Sequence, residues 1–256
     1  MTWCTLASQR KSTSEALKAL VPRKARRLYR RFVSPLLRDK YYYEYAQLRD
    51  FFRKAFMVLS FNGINGDYAE FGCCGAMTFG LAHRFLKKYG HPGKMWAFDS
   101  FRGLPAPRGP EDSHPIWVRG SAAMDIEDFR QACRKHRVSE VDYTIVPGYY
   151  EDTLRELSRG PRPVNICLAY VDCDLYSSTK EVLGFLMPRL KHGMIIAFDD
   201  YHCWSASQAS GERKACAEYF QDNPEWALVP FVQFDWSGMS FVVERRSLGA
   251  SSKAIF

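Results

Sequence analysis

The chain has no run of about 18 or more apolar residues, the length a membrane-crossing helix requires, so no spanning helix is expected. Its first twenty residues, MTWCTLASQRKSTSEALKAL, lack the long apolar stretch of a secretory signal, and a cytoplasmic location is expected. Cysteine is present eight times, at 4, 73, 74, 133, 167, 173, 203 and 216, yet never as a C-x-x-C pair. That spacing offers no clustered ligand set for zinc. Several of these cysteines sit inside apolar runs, which predicts reduced, buried thiols. No internal repeat or low-complexity tract breaks the 256 residues, enough for one large domain or one domain with a terminal extension.

What is present points to a packed core: 46% of residues are hydrophobic and 15% aromatic. The net charge of +8 is unevenly spread. Residues 1–60 hold 14 of the 36 Lys and Arg but 4 of the 28 Asp and Glu, an excess of +10, leaving −2 for the remainder. The centre of this basicity, PRKARRLYRRFVSPLLRDK, reads as a solvated helix face or as a contact for acidic lipid, nucleic acid or an acidic partner. From 12 to 61 the pattern is helical, with Leu17, Leu20, Leu28, Phe32, Leu36 and Leu37 recurring and Pro22 and Pro35 as interruptions. The stretch YYYEYAQLRDFFRKAFMVLSF reads as a helix docked on the main body. A division into a basic helical extension, 1–61, and a main domain, 62–256, is therefore expected.

After Gly66 short apolar strands alternate with amphipathic helices: DYAEFGCC, KMWAFDSF, VDYTIVPG, NICLAYVDCD and MIIAFDDY are the strands. WALVPFVQF and SGMSFVVERR close the chain as a strand pair. This rhythm predicts a doubly wound α/β fold with a mostly parallel sheet, helices on both faces and an antiparallel edge. Ligands of such folds bind at the carboxyl ends of the strands.

The polar strand ends therefore share one rim. The first strand runs into E-F-G-C-C-G-A, where Gly72 and Gly75 keep a G-x-x-G spacing but Glu70 stands where a dinucleotide fingerprint has its first glycine. An acid there opposes a pyrophosphate and suits a cationic cofactor, such as S-adenosylmethionine. The second strand ends in Asp99, the position whose acid commonly accepts from ribose hydroxyls. Asp172 and Asp174 end the fourth strand, and Asp199 and Asp200 the fifth. Carboxylates gathered so closely repel unless a proton or cation intervenes, and a hard divalent ion such as magnesium suits oxygen ligands.

EFGCCGA, AFDSFRGLP, VPGYYEDTL, YVDCDLYSSTKEVLGFLMPRLKHGMIIAFDDY and ERKACAEYF together resemble the TylF (macrocin) O-methyltransferase family, over about residues 66–220. The resemblance implies a class I, seven-stranded Rossmann-like methyltransferase that uses S-adenosylmethionine on sugar hydroxyls of natural products, and family members often assemble as oligomers. It implies that Glu70, Gly72 and Gly75 line the methionine end of the cofactor and that Asp99, with Ser100 and Phe101, holds the ribose. It places Asp172, Asp199 and Asp200 at metal positions and Asp172 also as general base, with Asp174 the alternative to Asp172 as first ligand. His202, beside the acids, is a further candidate to contact substrate or act as a base. The segment YHCWSASQASGERKA is longer than the family's usual glycine/proline link to a C-R-K-A-like helix, so the acceptor pocket is expected to differ. Two other readings follow from the basic terminus: an RNA methyltransferase, which the −2 charge of the remainder opposes, and a cofactor-binding scaffold docked on a membrane surface or partner through residues 1–60.

Overall fold

In the computed structural model, residues 34–155 and 162–246 are described, with the side chains of 34–41 excepted. The helical pattern expected over 12–33, and with it most of the basic run, lies outside the described residues.

The core divides in two because each strand alternates its side chains between the faces of one sheet. Tyr68, Ala97, Tyr170 and Ala197 belong to one apolar cluster, and Ala69, Phe71, Phe98, Val171 and Phe198 to the other. The sheet has seven strands: β1 (Asp67–Phe71), β2 (Met95–Asp99), β3 (Tyr143–Pro147), β4 (Ile166–Val171), β5 (Ile195–Phe198), β6 (Trp226–Phe234) and β7 (Gly238–Arg245). Their order is β3-β2-β1-β4-β5-β7-β6, with β1 to β5 parallel and β7 antiparallel to both its neighbours. β4 is buried along its whole length, as its unbroken apolar run requires in a sheet covered on both faces.

The first cluster is covered by α1 (Ser34–Phe61), α2 (Met77–Lys88) and α3 (Ile126–Lys135). Pro35 falls in the first turn of α1, where its missing N–H is no loss. Leu48, Phe51, Phe52, Ala55, Phe56 and Leu59 recur at helical spacing and are all buried. Phe51 stacks on Phe234 with ring centroids 4.5 Å apart, and Phe52 on Tyr170 at 5.4 Å, so the second half of α1 is part of the core. The opposite cluster is covered by the single turn α4 (Tyr150–Thr153), α5 (Tyr176–Leu186) and α6 (Gly211–Asp222).

The closing strand pair forms the antiparallel edge expected from the sequence. β7 inserts beside β5, and β6 folds back to the outside. Burial explains the order: β7 buries Ser240, Phe241 and Val243, whereas β6 leaves Val229, Pro230 and Gln233 exposed. The pairing of β6 with β7 shifts register between Pro230 and Gln233. Among the described residues no helix is long and apolar enough to cross a membrane.

Candidate active site

The chain reverses its winding between β1 and β4, and the carboxyl ends of these neighbours open a crevice. One cavity there is lined by Gly72, Asp99 and Ser100 from the turns after β1 and β2, and by Asp172, Asp174, Asp199 and Asp200 from those after β4 and β5. Glu44 and Leu48 of α1 and the β6–β7 turn residues Asp235 and Trp236 also face it.

The glycine turn is shaped by close approach. Gly72 has φ +93°, and a Cβ there would lie 1.9 Å from the Asp172 carbonyl oxygen, so only glycine lets the β1 and β4 ends meet. Asp99 anchors the turn from the side: Oδ2 accepts the Cys73 N–H at 2.7 Å and Oδ1 the Phe101 N–H at 2.7 Å. Burial nevertheless pushes its carboxyl upward, against those two bonds. Ser100 lines the cavity beside it, and its hydroxyl donates to the Gly103 carbonyl at 2.8 Å.

Three residues expected at the cofactor do not line the cavity. Glu70 is fully buried beneath the turn, where its carboxylate accepts from the Tyr68 hydroxyl and, at 2.8 Å, from the Thr78 hydroxyl. Burial raises its pKa to about 8. Gly75 turns its N–H toward the Met124 sulfur at 3.4 Å. Phe101, at φ +54°, packs edge-on against Phe129 with centroids 5.7 Å apart.

The acids converge in a specific subset. Oxygens of Asp172, Asp174 and Asp200 lie within 4.8 Å of one another. Asp174 reaches this group because its backbone is left-handed, φ +61°, a conformation aspartate tolerates. Asp199, expected among the ligands, lines the same cavity but accepts from the Tyr170 hydroxyl. Burial and then the neighbouring carboxylates drive Asp172 and Asp174 well above the ordinary carboxylate range. Burial and Asp200 raise Asp199 to about 7, against the Tyr170 bond. Two buried oxygens of the group, Oδ1 of Asp174 and Oδ2 of Asp200, have no hydrogen-bond donor. Orphaned hard acceptors facing one another fit a divalent cation.

His202 is not brought to the acids. Its N–H donates to the Ser237 carbonyl at 2.9 Å, and its ring lies edge-on to Tyr201, 5.3 Å away, outside the cavity lining. The histidine that does face the cavity is His114, stacked on Trp117 with centroids 4.0 Å apart. With Leu104, Ile116 and Trp236 this pair gives the cavity an apolar wall. Trp117, Leu175 and Cys203 form a small separate core that pins the loops on that side.

Two buried acids escaped the sequence reading. Asp112 accepts the Arg108 N–H at 2.6 Å and both the N–H and hydroxyl of Ser177 at 2.8 Å, capping α5 from a distant loop. Glu212, at the start of α6, accepts backbone N–H groups from both acidic turns. Neither carried a sequence signal, because a loop acid and a helix-start acid read as solvent-facing. Six described cysteines are free and buried, as expected.

The model of the macrocin-O-methyltransferase (TylF) family matches residues 46–241. The tetracenomycin-type rhamnosyl 4'-O-methyltransferase of Streptomyces olivaceus (8-demethyl-8-(2,3-dimethoxy-alpha-L-rhamnosyl)-tetracenomycin-C as named acceptor) is 28% identical over 148 residues, 55% of this chain and 54% of that protein. Mycinamicin III 3''-O-methyltransferase of Micromonospora griseorubida is 25% identical over 154 residues, 55% and 57% of the two chains. The chain thus spans about half the length of the curated relatives it matches. Among solved structures, the O-methyltransferase NovP superposes with a TM-score of 0.64 at 22% identity, covering 78% of this chain and 80% of that one. The calicheamicin methyltransferase CalS11 gives 0.63 at 22%, covering 76% and 77%. Similarity at that level establishes the shared fold.

Proposed function

Because the chain belongs to the macrocin-O-methyltransferase (TylF) family, we propose that it is an S-adenosylmethionine-dependent O-methyltransferase acting on a hydroxyl of a sugar borne by a small molecule. The observation that carries this reading is the composition of one cavity, whose lining brings together Gly72 of the glycine turn, Asp99, acids with orphaned oxygens, and apolar side chains.

Gly72 would admit the cofactor's methionine portion close to the backbone, and Asp99 and Ser100, which line the cavity, would be the residues beside its ribose. Glu70 acts from below, supporting the turn through Tyr68 and Thr78 rather than by contact. S-adenosylmethionine supplies the methyl group. Asp172, Asp174 and Asp200 would hold a magnesium ion, which when bound lowers the pKa of a hydroxyl beside it. With the cation bound Asp172 would be ionised, and as a cavity-lining carboxylate it would be the group to take the acceptor hydroxyl's proton. Holding nucleophile and methyl donor in line accounts for much of the rate. Trp236 and the His114–Trp117 stack offer flat apolar surfaces to the C–H face of a sugar or to the body that carries it.

The curated relatives are named as O-methyltransferases, and the name of one includes a rhamnosyl-bearing acceptor, which supports the acceptor class. The test is methyl transfer from labelled S-adenosylmethionine to a panel of glycosides, with magnesium and then with EDTA. Transfer that EDTA abolishes and added magnesium restores is expected; undiminished transfer in EDTA would remove the cation from the reading.

A further inference from the structure

Neither Gly211 nor Glu212, the first residues of α6, lines the cavity, yet both press on its floor. Glu212 is fully buried. Its Oε1 accepts the Cys173 N–H at 2.9 Å and its Oε2 the Asp200 N–H at 3.0 Å. Cys173 lies between Asp172 and Asp174, so a single carboxylate ties the turn after β4 to the turn after β5. Strand pairing alone does not do this: the β4–β5 register ends at Val171 and Phe198, and the last rung is the Asp199 N–H on the Val171 carbonyl. Gly211 completes the contact at φ +59°, where a Cβ would lie 3.0 Å from the Asp174 carbonyl and 3.0 Å from the Trp117 ring.

The residue type matters. Two N–H groups approach two different oxygens, and only a carboxylate presents an acceptor to each. A glutamine would aim its NH₂ at one of them. A fourth acid beside three others is also electrostatically adverse, so mere satisfaction of two donors does not account for it.

We infer that Glu212 is a positioning residue: it clamps the two acidic turns so that the carboxylates of Asp172, Asp174 and Asp200 converge on a divalent cation. This rests on the cation reading proposed above.

The test is Mn²⁺ binding by electron paramagnetic resonance on the full chain, comparing wild type with Glu212→Gln, alongside calorimetry with S-adenosylmethionine. Wild type should bind Mn²⁺. E212Q should bind it at least tenfold more weakly while keeping cofactor affinity within about twofold, a split that general destabilisation would not produce. Equal Mn²⁺ affinity in a folded E212Q would overturn the inference. Absence of Mn²⁺ binding by wild type would overturn the cation reading itself and the inference with it. Should E212Q not fold, Glu212→Asp, which keeps the charge but shortens the reach, gives the same readout. Amide exchange on the wild type adds an arm that needs no variant. The Cys173 and Asp200 amides should be protected without metal, and exchange at open-loop rates would overturn the clamp.

Discussion

Replacing Glu70 with glutamine isolates one buried charge. The carboxyl is fully buried, and its pKa stands at about 8 against an ordinary 4.5. Between those values the unfolded chain releases the proton while the folded chain keeps it, so folding takes up a proton and stability falls as pH rises. The ceiling on the slope is about 1.4 kcal/mol per pH unit, or about 2.5 kcal/mol from pH 5.5 to 7.5. For a chain of this size that corresponds to roughly 5–10 °C in Tm. Glutamine has no proton to lose, and the Tyr68 and Thr78 hydroxyls can rotate to suit it. Other raised acids also tilt the wild-type profile, so the measured quantity is the difference between the E70Q and wild-type melting curves, taken without cofactor at half-unit pH steps. The E70Q curve should be flatter, the gap widening with pH and levelling above about pH 8. Parallel curves would refute the assignment of a retained proton to Glu70. Above pH 8, where the folded carboxyl is also ionised, the remaining wild-type slope belongs to other groups.

Gly72→Ala should yield little folded protein or a Tm lowered by more than 10 °C by scanning calorimetry, since its Cβ would meet the Asp172 carbonyl at 1.9 Å. Phe51→Ala opens a void between α1 and the sheet and should lose about 3–5 kcal/mol in urea unfolding, with an unchanged fold by circular dichroism. Trp236→Ala removes a side chain that is 57% exposed at the cavity mouth. It should raise acceptor KM roughly tenfold, leaving S-adenosylmethionine affinity and Tm unchanged in calorimetry.

The fold was legible where local pattern and global role coincide. Apolar runs ending in glycine or aspartate marked β1, β2, β4 and β5, and the stretch YYYEYAQLRDFFRKAFMVLSF read as a docked helix, which α1 is. Strand order was less legible: whether β6 or β7 sits beside β5 depends on which buries more, a comparison between residues distant in sequence. The acidic rim was visible as a set, but not its internal arrangement. Strand alternation governs side-chain direction only while the chain is extended, and at Asp174 it turns left-handed. Sequence nearness was also a poor guide at His202, adjacent to the acids along the chain but not among the residues lining their cavity. Asp112 and Glu212 were silent because Ser177 lies 65 residues from the first, and Cys173 and Asp200 lie 39 and 12 residues from the second, separations that only the completed fold closes.

Placing β6 outermost leaves a nine-residue strand that, among the described residues, pairs on one side only, the kind of template along which chains add to one another. Val229 stands exposed on it, next to Pro230, which has no N–H to offer an incoming strand. The register shift that follows bends the remaining rim out of line with any straight partner. The same outward fold that gives the buried position to β7 therefore carries its own guard against sheet-to-sheet aggregation, and Pro230 is the place where a substitution by valine would weaken it.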